Sequence, residues 1–214
     1  MSNESKERII ELALELFIQN GCKRITMDQI ANTLHISKRT LYETFSCKED
    51  LIDECLKSVS KKVEENIKRI RTTTEDPMLM IFYMSKNHTH FCQKYERLID
   101  DTRDYYPLIF KKYFSMKAEE VVAQIQKGLE YAYEKGYIRH DANLKIASNA
   151  MVYFVEQVRK SKLLDNNSRH DINSEFLFTY MRGLMSEEAI LRYSREEATV
   201  REHLIQDVPW LSEH

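Results

Sequence analysis

Four glycines and three prolines are all that punctuate these 214 residues. A fold of many short strands needs turn residues at frequent intervals, because Gly and Pro supply the backbone angles on which tight reversals depend. A chain this poor in both is confined to long helices. The apolar pattern agrees: between Lys6 and Gln19, Ile10, Ala13, Leu14 and Phe17 recur at helical spacing, with Ile9, Leu12 and Leu16 widening the stripe. Gly21 follows as a C-terminal stop.

Thr26 with Gln29 makes a capping box, and Met27, Ile30, Ala31 and Leu34 form one face of a second, short helix. Ser37 caps a third, running from Lys38 to Phe45, and Ser46 with Glu49 makes another capping box that opens a fourth. Ile52, Leu56, Val59, Val63, Ile67 and Ile70 carry that helix to near Arg71. Asp76 before Pro77 is a strong helix start, since proline at the first helical position has no amide to leave unpaired, and the domain boundary is placed there. Further helices are expected at about 77–98, 104–115, 117–136, 142–163 and 172–193, with a helical tail to about 206. Asp100, Asp101 and Asp104 are expected to mark a solvated connection rather than a metal cluster. The predicted class is all-α: residues 1–47 form a three-helix head, 48–76 a connecting helix and loop, and 77–214 a larger helical domain.

A net charge of −2 provides no global basic field, so any nucleic-acid contact has to be local. From Gly21 to Lys48 the cations Lys23, Arg24, Lys38, Arg39 and Lys48 face only Asp28 and Glu43, a local excess of three positive charges. Cys22, Cys47, Cys55 and Cys92 show no metal or disulfide spacing and are expected to be reduced, structural thiols. No signal core and no long apolar run is present, so a soluble cytoplasmic protein without a membrane partner is expected. His88 and His90, two apart on a helix, diverge and cannot readily share a metal ion. No nucleophile elbow, HExxH, phosphate loop or dinucleotide fingerprint appears, so neither enzymatic activity nor a cofactor has positive support.

From Met27 to Phe45, a short helix, a break and a second short helix have the shape that seats one helix in the major groove while the other braces it. Leu41 and Phe45 pack inward, leaving Lys38, Arg39 and Tyr42 outward. Cations suit phosphates and guanine edges, Thr suits phosphates or a thymine methyl, and a Tyr hydroxyl donates to phosphate. The runs Gly21-Cys22-Lys23-Arg24-Ile25-Thr26-Met27-Asp28-Gln29-Ile30-Ala31, Ile36-Ser37-Lys38-Arg39-Thr40-Leu41-Tyr42-Glu43-Thr44-Phe45 and Lys48-Glu49-Asp50-Leu51 closely resemble the N-terminal domain of the TetR/AcrR family. The resemblance covers about residues 6–56. It implies that Thr26 caps the second helix near a phosphate, that the third helix, with Ser37, Lys38, Arg39 and Thr40, reads double-stranded DNA, and that Tyr42 and Lys48 grip the backbone. His35 stands where the family usually has glycine, so a strained left-handed residue is expected at the turn.

The remaining three-quarters is rich in Tyr, Phe and Met, side chains that build adaptable apolar pockets with polar handles. The resemblance implies a small-molecule cavity here, with Tyr83, Phe91, Tyr95, Tyr106, Phe110, Tyr113, Phe114 and Tyr131 as candidate lining. Residues 144–158 are apolar nearly all round, and such a helix must be covered on more than one side. Together with the following helix this suggests a homodimer interface involving Ala147, Met151, Phe154, Val158, Phe176, Tyr180 and Leu184, the alternative being full burial within one monomer. The functional expectation is a dimeric repressor, released from a pseudo-palindromic operator by a small apolar or aromatic ligand. The rival is a helical ligand-binding or interaction protein that no longer reads DNA.

Overall fold

The computed structural model describes residues 3–114, 118–161 and 163–194. In chain order the helices are α1 (Asn3–Asn20), α2 (Met27–Thr33), α3 (Lys38–Thr44), α4 (Lys48–Thr73), α5 (Pro77–Lys94), α6 (Glu96–Tyr105), α7 (Pro107–Phe114), α8 (Ala118–Glu134), α9 (Leu144–Lys160), α10 (Asn166–Leu184) and α11 (Glu187–Ser194). The fold is all-α, and among the described residues the only sheet-type pairing is an isolated antiparallel bridge between Ile138 and Met185. Packing divides the chain discontinuously, one unit comprising Met1–Glu65 with Lys94–Ser115 and the other Asn66–Gln93 with Met116–His214.

In the first unit the expected α1 stripe is buried: Ile9, Ile10, Ala13, Leu14 and Phe17 are all sealed from solvent. Ile30 and Ala31 of α2, Leu41 of α3 and Leu51, Ile52, Cys55 and Leu56 of α4 are likewise buried. Burial pushes the Cys22 thiol up to about 12 and raises that of Cys55, so both behave as small apolar side chains. α4 begins at Lys48, which puts Cys47 rather than Ser46 immediately before it, and Glu49 and Asp50 reach that thiol. The expected Ser46–Glu49 capping box is therefore one residue out of register.

The helix expected to run to residue 98 stops at Lys94, and α6 starts at Glu96. Asp100, Asp101 and Asp104 lie inside α6 rather than in a connection. Leu98 and Thr102, four apart, are fully buried and hold the segment helical. Asp100 pairs with Arg103 at 2.7 Å. Pro107 then opens α7.

The second unit has one core, built from Met78 and Phe82 of α5, Leu129 and Ala132 of α8, Ala147 and Met151 of α9, Leu177 and Met181 of α10, and Ala189 and Tyr193 of α11. The helix expected at 172–193 is two helices. α10 starts at Asn166, where Asp165 caps it by accepting the Ser168 N–H at 2.7 Å. It ends where Leu184 O accepts the Arg139 N–H at 3.0 Å and Ser186 N–H donates to Tyr137 O at 2.9 Å. Ser186 Oγ then accepts the Ala189 N–H at 3.2 Å in the first turn of α11. The tail expected to about 206 falls beyond the described residues from 195 onward.

Gly21 and Gly136 have φ of +81° and +78°. A methyl at Gly136 meets nothing within 4 Å, whereas one at Gly21 collides with Asp101 Oδ2. That carboxylate is fixed, because it accepts the Lys23 N–H at 2.8 Å. Gly136→Ala is expected to cost about 1 kcal/mol of backbone strain, and Gly21→Ala roughly 2–3 kcal/mol, as the same strain comes with a lost charged hydrogen bond. Urea denaturation of the two variants checks the order.

Candidate nucleic-acid interface

The first helix of the candidate motif is anchored by Thr26, with φ −102° and ψ 157° at its N-cap. Thr26 Oγ1 accepts the Gln29 N–H at 3.2 Å, and Gln29 Oε1 accepts the Thr26 N–H at 2.8 Å, the reciprocal bonds of a capping box. At the break, His35 has φ 55° and donates its N–H to Asn32 O at 3.1 Å, while Ile36 N–H reaches Ala31 O at 3.0 Å. The expected left-handed residue is thus present. A histidine side chain is accommodated there because it points into solvent. Ser37 caps α3, its Oγ accepting the Thr40 N–H at 3.0 Å, and Ser37 Oγ and Thr40 Oγ1 lie 2.7 Å apart.

With α3 so oriented, Leu41 is fully buried and Phe45 nearly so, while Lys38, Arg39 and Tyr42 are exposed. Tyr42 keeps 49% of its surface open, although an aromatic ring of that size is ordinarily drawn into a core. The cations are held by light, replaceable partners: Lys38 pairs with Asp28, and Arg39 Nε with Glu43 Oε1 at 2.8 Å. Exposed ion pairs contribute only about 0–1 kcal/mol, so phosphate oxygens or base edges can displace either carboxylate. Arg24 adds an exposed guanidinium beside Thr26.

Lys48, like Thr40 and unlike the exposed Lys38, Arg39 and Tyr42, is half-buried. Its Nζ donates to Lys23 O at 3.3 Å and stands 6.0 Å from the Tyr106 ring centroid, and burial lowers its pKa. Lys23 in turn lies over the Tyr105 ring at 3.7 Å. Sequence reasoning missed the bracing role of α6. Asp101 bonds the Lys23 amide, Arg97 donates to Gln19 O, and Tyr105 and Tyr106 carry the two lysines. No periodicity or spacing announces contacts between residues 78 apart.

The eight aromatic residues expected to line one cavity are divided between the units. Tyr95, Tyr106, Phe110, Tyr113 and Phe114 belong to the first, and Tyr83, Phe91 and Tyr131 to the second. Within the first unit Tyr113 Oη donates to Asp53 O at 3.0 Å and the Phe110 and Phe114 rings are 5.5 Å apart. Of the residues expected at an interface, Ala147, Met151 and Val158 are buried, and Leu184 packs on the second unit's core. Phe154 stacks on Phe176 at 3.6 Å, and Tyr180 Oη donates to Ala147 O at 3.4 Å. The open apolar groups of α9 are instead Ile146 and Tyr153, at 65% and 68% exposure. Among the described residues no three His, Cys, Asp or Glu side chains group as metal ligands, and no helix is long and apolar enough to cross a membrane.

Residues 9–55 match the family model described as bacterial regulatory proteins, tetR family. An uncharacterized HTH-type transcriptional regulator of Bacillus subtilis (strain 168), YhgD, is 37% identical over 65 residues, 30% of this chain and 34% of the relative. A second from the same organism, YerO, is 26% identical over 162 residues, 71% of this chain and 54% of the relative. The chain thus spans about a third and about half of the lengths of these curated relatives. Among solved structures, a gamma-butyrolactone receptor (ArpA-like protein) superimposes with a TM-score of 0.66 at 17% identity, covering 94% of this chain and 98% of that one.

The Thr26 cap has a measurable role that does not depend on DNA. Thr26→Ala is expected to destabilise the protein by about 1 kcal/mol through loss of the capping box, and Thr26→Ser to restore most of it. Chemical denaturation of both variants tests this.

Proposed function

We propose that the chain, whose residues 9–55 match the tetR family model, is a dimeric DNA-binding transcriptional repressor released by a small molecule. The observation that carries the DNA-binding part is α3, where Lys38, Arg39 and Tyr42 project outward around a buried Leu41. The family is one of regulators and not of enzymes. Arg39 reads a base edge, and Tyr42, Thr40 and Ser37 hold phosphates. Lys48, with Nζ on the Lys23 carbonyl, fixes the approach of α4 and meets phosphate at its exposed side.

On selected operator duplexes and scrambled ones, Tyr42→Phe is expected to weaken binding to both alike. Arg39→Ala is expected to remove, in addition, about 1–3 kcal/mol of discrimination if its contact is bidentate. Equal losses on the two duplexes for Arg39→Ala, read by filter binding, overturn its role as the reader.

Dimerisation through α9 and α10 is supported by the outward apolar residues Ile146 and Tyr153, seven apart and so on one helix face. Ala147 and Met151 serve the protein's own core, so charge placed there tests folding rather than association. Tyr153→Asp is expected to give a folded monomer at micromolar concentration in analytical ultracentrifugation. A wild-type protein that is itself monomeric there removes the interface. Small-molecule control is supported by the tetR family match of residues 9–55 and by the fold resemblance to the gamma-butyrolactone receptor.

A further inference from the structure

The turn from Gly21 to Ile25 joins α1 to α2 outside any helical ladder. Its backbone groups have to find partners elsewhere. Lys23 finds two: its N–H donates to Asp101 Oδ2 of α6 at 2.8 Å, and its carbonyl accepts from Lys48 Nζ at 3.3 Å. The two contacts hold one residue between α6 and α4. The chain also runs close to the same carboxylate two residues earlier, where a methyl on Gly21 collides with Asp101 Oδ2. Four residues before Asp101, Arg97 donates to Gln19 O at the end of α1, so α6 grips the chain on both sides of Gly21.

Asp101 lies outside residues 9–55, the stretch that matches the tetR family model, and its carboxylate has the sign that phosphate repels. Its charge acts on Cys22, Lys48 and Tyr106 around the turn. Counted with Lys23, Arg24, Lys38, Arg39 and Lys48 against Asp28 and Glu43, it lowers the local excess of positive charge from three to two. On charge alone, removing it tightens binding to DNA. Its hydrogen bond acts in the opposite sense. Lys48 Nζ rests on the carbonyl of the same residue whose amide Asp101 holds. Freeing that amide loosens the seat of Lys48, the one half-buried cation among those five.

We propose that Asp101 is a positioning residue for DNA binding: by holding the Lys23 amide it fixes the carbonyl on which Lys48 Nζ rests, and so keeps Lys48 where it meets phosphate. This rests on the DNA-binding reading above. The test is filter binding to a duplex that the wild-type protein selects from a random-sequence pool, each variant being checked for folding by circular dichroism at the assay temperature. Asp101→Ala is expected to weaken binding by about tenfold, against the sign of its charge change. Asp101→Asn makes the same charge change but keeps an oxygen able to accept the Lys23 N–H, and is expected to bind at least as tightly as wild type. Asp101→Glu keeps the charge, has no room beside Gly21 for its extra methylene, and is expected to weaken binding by about threefold or more; it decides the matter should Asp101→Ala not fold. In the Lys48→Ala background Asp101→Ala is expected to cost less than about twofold more, because the group it positions is gone. Binding by Asp101→Ala as tight as wild type, an equal loss in Asp101→Asn, wild-type affinity in Asp101→Glu, or the full loss persisting in Lys48→Ala overturns the proposal. A wild-type protein that selects no duplex overturns the DNA-binding reading as well; one that binds its duplex and keeps that affinity in Asp101→Ala loses only the role of Asp101.

Discussion

The N-terminal head depends on burial that its short helices cannot supply for themselves. α2 and α3 have seven residues each, far below the length at which an isolated helix is stable in water. They persist because Ile30, Ala31 and Leu41 are buried, as are Phe17 of α1 and Leu51 and Leu56 of α4. The caps set where each helix begins, and the core sets which way it faces. Burying Leu41 is what turns Lys38, Arg39 and Tyr42 to the surface, so the exposed face of α3 is a consequence of its apolar one.

Electrostatics within the head are organised for exchange. Asp28 and Glu43 satisfy Lys38 and Arg39 at the surface, where their loss to a phosphate or base costs little. The partners of Lys23 and Lys48 are of another kind, with Tyr105 at the end of α6 and Tyr106 just past it beneath the ammonium groups and the Lys23 backbone tied to Asp101. α6 therefore belongs to the support of the turn between α1 and α2.

Much of the head was legible in advance because its signals are local. A capping box needs only Thr26 and Gln29 and an N-cap only Ser37, while the left-handed residue at His35 was expected from the family resemblance. Helix existence was equally legible further along, as the apolar spacing of α4 and the Asp76-Pro77 start illustrate. The second unit was harder to read. Residues 144–158 are apolar nearly all round, and that pattern alone does not say which apolar residues meet the protein's own core. Packing against α8 and α10 took Ala147 and Met151 inward and left Ile146 and Tyr153 outside.

What the sequence determined by itself was the helical class, the shape of the reading head and the identity of its outward side chains, since each follows from residues within a few positions of one another. Tertiary structure decided the rest. Asp100, Asp101 and Asp104 read as a solvated link until Leu98 and Thr102 found a core that made the segment a helix. The aromatic residues expected to line a cavity fall in two units, a partition that their spacing along the chain does not announce. The physical reason is the same in each case: caps and periodicity are set by neighbours along the chain, whereas burial, and hence which polar groups remain open to a ligand, is set by residues many tens of positions away.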